Sequence, residues 1–287
     1  TGKGTTIVPK LSAGQTEEVL DPHGGIERSG RFQLAPGCQL PEQITSRRFD
    51  ARRYLLNQFD ESRQQLERHA ASANWNNQQQ RAFSLVGSNH VRSALDIHNE
   101  PAALRERYGM TLFGQSCLAA RRLVEAGARF VTVFWDPFGP HGASVWDTHS
   151  NHFPRLKNYL LPVFDQSYSA LITDLDERGL LDETLVLCTS EHGRTPQIDS
   201  KPPGAARHHW SRAYSSVFAG GGIARGRVVG RTDAIGGDVA ETPISPKDMQ
   251  ATAYHLLGFP STATVPDQTS RPHPIAGDGQ VRTELLG

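Results

Sequence analysis

Cysteine is scarce in this chain: Cys38, Cys117 and Cys188 are the only three among 287 residues. Three widely separated thiols without C-x-x-C spacing exclude a full disulfide framework, and we read them as packing residues. An excess of either charge is also missing, with 30 Lys+Arg against 30 Asp+Glu. That leaves no electrostatic footprint for nucleic acid or for an anionic membrane. Long apolar runs are absent too. The longest, such as Phe130–Trp135 and Leu185–Cys188, are strand-sized, far below the roughly 20 residues of a membrane span. Gly (27) and Pro (18) are too few for low-complexity disorder, and the 37% hydrophobic content is ordinary for a globular protein. The length allows one large domain or two small ones, with enough chain to bury a core.

Histidine is what the chain has in number. There are twelve, and six (His141, His149, His152, His192, His208, His209) fall between residues 141 and 209. Histidine is the commonest metal ligand and titrates near physiological pH.

Apolar periodicity organises the rest. Residues 1–48 read as an irregular segment with short strands. Helices are expected over 50–71, 78–98, 101–108 and 114–126. Pro101 suits the first turn of its helix, and Gly127 stops the last. Arg129–Trp135 and Thr184–Ser190 read as buried strands, with Tyr214–Ala219 a third and Val228–Val229 opening a fourth. His152–Gly179 is a long helix between the first two. Gly220–Gly222 is a turn after a strand, since it lacks a phosphate-loop signature. Ser245–Gly258 is a helix with Ser245 as N-cap, Pro246 at its first position and Gly258 as its stop. Strand, helix, strand predicts an α/β fold, a mostly parallel sheet sandwiched by helices. We expect a helical part over 49–112, a sheet core over 113–260 and a C-terminal tail over 261–287. The loops 136–149 and 191–210 then leave carboxyl ends of strands, where ligands bind in such sheets.

Three constellations carry chemistry: Trp146-Asp147-Thr148-His149, then Ser190-Glu191-His192-Gly193-Arg194-Thr195-Pro196, then Arg207-His208-His209-Trp210. Carboxylates and imidazoles from separate loops make a transition-metal site, and this set suits Zn²⁺ or Mn²⁺. The plain alternatives are that Asp147 caps the following helix and that Glu191 and His192 form a loop ion pair. Arg194 is read either as an oxyanion contact or as a donor to loop carbonyls. His152 is expected on the helix surface, and Asp165 and Asp174 are expected to be solvated or capping.

At "WDTH", "DLDERGLLDETLV", "EHGRTP", "RHHW" and "FAGGGIARGRVVGRTD" the chain resembles the DUF1501 family, read here as part of the alkaline phosphatase/sulfatase superfamily. The resemblance runs over roughly residues 45–260. It implies an alkaline phosphatase-like core and a metal-dependent hydrolase of phosphate or sulfate esters. Asp147, His149 and His209 match ligands of one ion, and Glu191 and His192 match the acidic-His pair of a second. Arg194 and Arg207 would grip the substrate oxyanion bidentately. The family's exported members imply an extracytoplasmic home.

His192 stands where the family has Phe, and His208 where it has Asp. The family's first strand, with its metal-binding Asp and Ser/Thr nucleophile, has no counterpart in residues 1–48; Asp21-Pro22-His23 is a poor substitute. The expectation is therefore an N-terminally truncated or degenerate member, with a non-catalytic binding or scaffold protein of the same fold as the alternative.

Overall fold

A computed structural model describes residues 43–64, 89–135 and 146–287. The expectations for 1–42 and 136–145, for residues 65–71 of the first helix and for residues 78–88 of the second, with Cys38 and His141 among them, lie outside the described residues. Contacts divide the chain into two compact units between Pro140 and His141.

The described residues of the first unit hold the helices α1 (Ser46–Gln64), α2 (Asn89–Leu95), α3 (Ala102–Arg107) and α4 (Leu112–Glu125), with a 3₁₀ turn at Ile97–Asn99. Thr111 caps α4 by accepting from the Gly114 N–H at 3.1 Å. Gly127, at φ +92°, takes up the left-handed conformation that ends it. Ile97, Tyr108, Cys117 and Leu118 form the apolar core.

Buried Gln115 and Arg121 find polar partners beside that core, in keeping with the cost of burying such groups. The Gln115 amide donates to the Arg105 and Gly109 carbonyls, both at 2.9 Å. The buried Arg121 donates to Glu100 at 2.7 Å and to Glu125 at 2.5 Å.

The second unit begins with one long helical run. α5 (His152–Arg155) passes through a π segment (Leu156–Leu160) into α6 (Leu161–Glu177). Pro162 explains the widening, since it has no N–H for the carbonyl four residues back and its ring crowds that carbonyl. Val163, Ser167, Ala170, Asp174 and Leu175 are the buried face of α6. Asp174, expected to be solvated or capping, is buried and accepts from Arg178 Nε at 2.8 Å.

The expected parallel sheet is overturned. Among the described residues the strands form four two-stranded antiparallel pairs. β1 (Val186–Cys188) pairs with β4 (Val217–Ala219), and β2 (Gly193–Arg194) pairs with β3 (His209–Trp210). β5 (Arg231–Thr232) pairs with β6 (Val239–Glu241), and β7 (Thr264–Pro266) with β8 (Pro272–Pro274). An alkaline phosphatase-like sandwich is therefore not the architecture.

The reason lies in the connections. A parallel neighbour needs a crossover, usually a helix, and the 189–216 link carries none, so the chain returns antiparallel. Arg129–Trp135 is not a strand; Phe130 and Phe134 are 86% and 81% exposed. Val228 is 95% exposed, and the next strand starts only at Arg231.

Gly220–Gly222 is the expected turn. All three have positive φ, and a Cβ on Gly220 would stand 2.3 Å from the Leu181 carbonyl oxygen.

α7 (Pro246–Leu256) begins where its sequence signals place it. Ser245 Oγ accepts from the Asp248 N–H at 3.1 Å, and Asp248 accepts from the Ser245 N–H at 2.9 Å. This is a complete capping box. Asp248 and Thr252 also hold the C-terminal segment, accepting from the Gln280 and Arg282 N–H groups at 2.8 and 2.9 Å. Ser245→Ala is expected to lower stability by about 1 kcal/mol, measured by urea unfolding.

Candidate metal centre

Two loops build the site, and backbone bonds hold them together. Helix α5 starts at His152 without a side-chain cap. Its first N–H groups go instead to carbonyls of the second loop. Asn151 donates to Pro203, His152 to Ala205 and Phe153 to Gly204, at 2.9, 3.0 and 3.4 Å. Asp147 is thus free of the capping role that sequence alone allowed it.

Trp146 packs edge-on against Phe164 of α6. Arg194, on β2, donates to the Trp146 carbonyl at 2.8 Å and to Asp147 Oδ1 at 2.9 Å. Gly193 is needed beside it, because a Cβ there would lie 2.3 Å from the Ala213 carbonyl oxygen.

On this frame Asp147, His149 and His209 converge, with one ligand atom from each lying within 4.8 Å of the others. His209 Nε2 is 2.8 Å from Asp147 Oδ1, and His149 Nε2 is 2.9 Å from the same oxygen. The two Nε2 atoms are 3.0 Å apart. Ligand atoms of one ion bound at about 2.0–2.2 Å lie roughly 2.8–3.6 Å apart, so two imidazoles and a carboxylate at this spacing fit a divalent cation. The group can therefore hold a metal ion.

Partial burial pushes the Asp147 carboxyl up, but hydrogen bonds from His209 and Arg194, with the charges of His149 and Arg194, outweigh it and lower it to about 2. The ligand oxygen is ionised at any physiological pH.

Glu191 and His192, the other two expected ligands, stand beside the trio. The His192 ring stacks on His209 with centroids 4.0 Å apart. Its Nδ1 lies 3.1 Å from the Gly193 carbonyl oxygen, which directs Nε2 to Glu191 Oε1 at 3.3 Å. The Glu191 carboxylate is otherwise exposed, and its own backbone N–H leads the effects that lower its pKa, ahead of opposing burial and the charge of His192.

Arg194 and Arg207 face main-chain acceptors. Besides its bonds to the first loop, Arg194 reaches the Arg207 carbonyl. Arg207 reaches those of Thr195 and Arg194 at 2.7 and 3.2 Å. A guanidinium has five N–H donors, so each keeps donors beyond these.

His152, expected on the helix surface, is 3% exposed, its Nδ1 2.6 Å from the Thr148 hydroxyl. Burial and the charges of Arg207, Arg194 and Arg155 hold its pKa down.

Sequence reasoning missed two supports. Asp233 accepts from the N–H groups of Ile235, Gly237 and Asp238. This shapes a turn whose Gly237 carbonyl accepts from the Trp210 indole at 2.7 Å, next to His209. Asp199 lies 3.7 Å from His208. The Thr-Asp-x-x-Gly-Gly run at 232–237 is a readable turn signal; nothing in the sequence indicated what it would hold.

No curated protein and no solved structure matches the chain. The matching family model, described as a protein of unknown function, covers residues 20–286. That span is most of the sequence, and the chain belongs to the DUF1501 family.

Proposed function

We propose that the chain is a metal-dependent hydrolase of phosphate or sulfate esters, with Zn²⁺ or Mn²⁺ held by Asp147, His149 and His209. The observation that carries this reading is the convergence of those three donor groups from two loops. The resemblance of "LLDETLVLCTSEHG" to the sulfatase pattern of a strand with an acidic-His-Gly end supports the ester chemistry. When bound, a divalent ion polarises a phosphoryl or sulfuryl oxygen and stabilises the leaving oxygen.

The chain's own groups set up the rest. Asp147 stays ionised through its bonds to His209 and Arg194. His192, stacked on His209, places Glu191 at the rim, where an acid–base group or a second ion would sit. The donors that Arg194 and Arg207 keep beyond the loop carbonyls are those that would meet an oxyanion.

A specific observation favours the second reading, a non-catalytic binding protein. The hydroxyls beside the cluster are engaged: Thr148 with His152, and Thr195 with the Gln197 carbonyl and the His208 N–H. The test is metal analysis of the purified chain, followed by turnover of 4-nitrophenyl phosphate and sulfate with Zn²⁺ or Mn²⁺ added. Hydrolysis that needs the ion and vanishes in His209→Ala supports the enzyme. Stoichiometric metal without turnover supports the binding protein, and absence of metal binding overturns both metal readings.

A further inference from the structure

His208 lies outside the trio yet touches it. Its Nδ1 is 2.9 Å from His149 Nδ1, with ring centroids 5.2 Å apart at 32°. The far side of the same ring, Nε2, faces Asp199 Oδ2 at 3.7 Å. Its backbone N–H donates to Thr195 Oγ1 at 3.1 Å, which fixes where the ring starts.

The ring chemistry then dictates roles. A neutral imidazole has one N–H and one lone pair. For His149 to offer its Nε2 lone pair to an ion, the proton must sit on Nδ1, where it needs an acceptor. His208 Nδ1 is that acceptor, and its own proton then sits on Nε2, facing the Asp199 carboxylate. We propose that His208 is a positioning residue for metal binding, the acceptor that sets the tautomer and ring orientation of His149, and is not itself a ligand. This inference rests on the proposed metal site.

Hydrogen-bond partners of ligating histidines change metal affinity by about 10–100-fold when removed. His208→Ala is expected to weaken Zn²⁺ binding by about tenfold or more, measured by competition with a chromophoric chelator. The visible bands of the Co²⁺-loaded chain should keep their positions. His208→Asn, whose side-chain oxygen reaches near the place of Nδ1, should restore affinity to within a few-fold of the unsubstituted chain. His208→Gln, which reaches instead toward the place of Nε2, should not.

Unchanged affinity in His208→Ala overturns the inference and leaves the metal site standing. Shifted Co²⁺ bands of the kind expected for a lost nitrogen ligand overturn it in favour of direct ligation. Equal affinity in the Asn and Gln variants overturns it too, because a structural role would not separate them. If the unsubstituted chain binds neither Zn²⁺ nor Co²⁺, the metal site and this inference fall together.

Discussion

Zn²⁺ at 100 times its dissociation constant is expected to stabilise the folded chain by about 2.7 kcal/mol, the mass-action value for a ligand that binds only the native state. The donors come from residues 147, 149 and 209, so the ion would join two loops that an unfolded chain keeps apart. His149→Ala should remove most of the shift, because it takes one of three ligands. Asp147→Asn should remove it as well and should also loosen the loops without metal, since Arg194 and His209 both bond to that oxygen. Thermal or urea unfolding with ion and with chelator reads all of these. A melting temperature identical in the two conditions would sink the metal site.

Acid should weaken that same frame. The Asp147 carboxyl lies below its ordinary value of 3.8, at about 2 in the folded chain. A carboxyl lowered on folding contributes stability above its unfolded pKa and loses it as pH falls through the folded one. The loss therefore runs between about pH 4 and pH 2.

Glu100→Ala is expected to lower stability by about 3 kcal/mol, the lower end for breaking a buried ion pair. The Glu100 side chain is only 9% exposed and accepts from both Arg121 and Arg122. Its removal takes from the fully buried Arg121 the better buried of the two carboxylates it meets, Glu100 and Glu125. Glu125 is 44% exposed, and Glu125→Ala should cost under about 1 kcal/mol. Burial raises the Glu100 pKa, and the two arginines more than offset it, so the folded value lies below 4.5. The contribution is complete above that pH and fades as pH falls through the lowered value. Urea unfolding of both variants at pH 7, with Glu100→Ala repeated in acid, separates the effects. Equal losses in the two variants would show that Glu100 is not the buried partner of Arg121.

Local signals in the sequence were enough for the ends of α4 and α7 and for the turn after β4. Ser245-Pro246 opens α7 and Gly258 follows its end; Gly127 ends α4; Gly220–Gly222 turns after β4. Caps, φ > 0 glycines and 3.6-residue periodicity act within a few residues, so composition nearby is sufficient. The residue types of the candidate site were legible for the same reason, as Asp and His stand close together in polar loops. Strand pairing was not. Val186–Cys188 has the apolar character of a parallel or an antiparallel strand, and the partner, Val217–Ala219, is decided by how the intervening loop returns. Nor could sequence show that His149 and His209, 60 positions apart, bring their Nε2 atoms to 3.0 Å. It could not show that Asp174 and His152 turn inward or that Asp233 shapes the turn under Trp210. Each of those depends on side chains meeting across the fold, and a contact between distant residues leaves no local pattern to read.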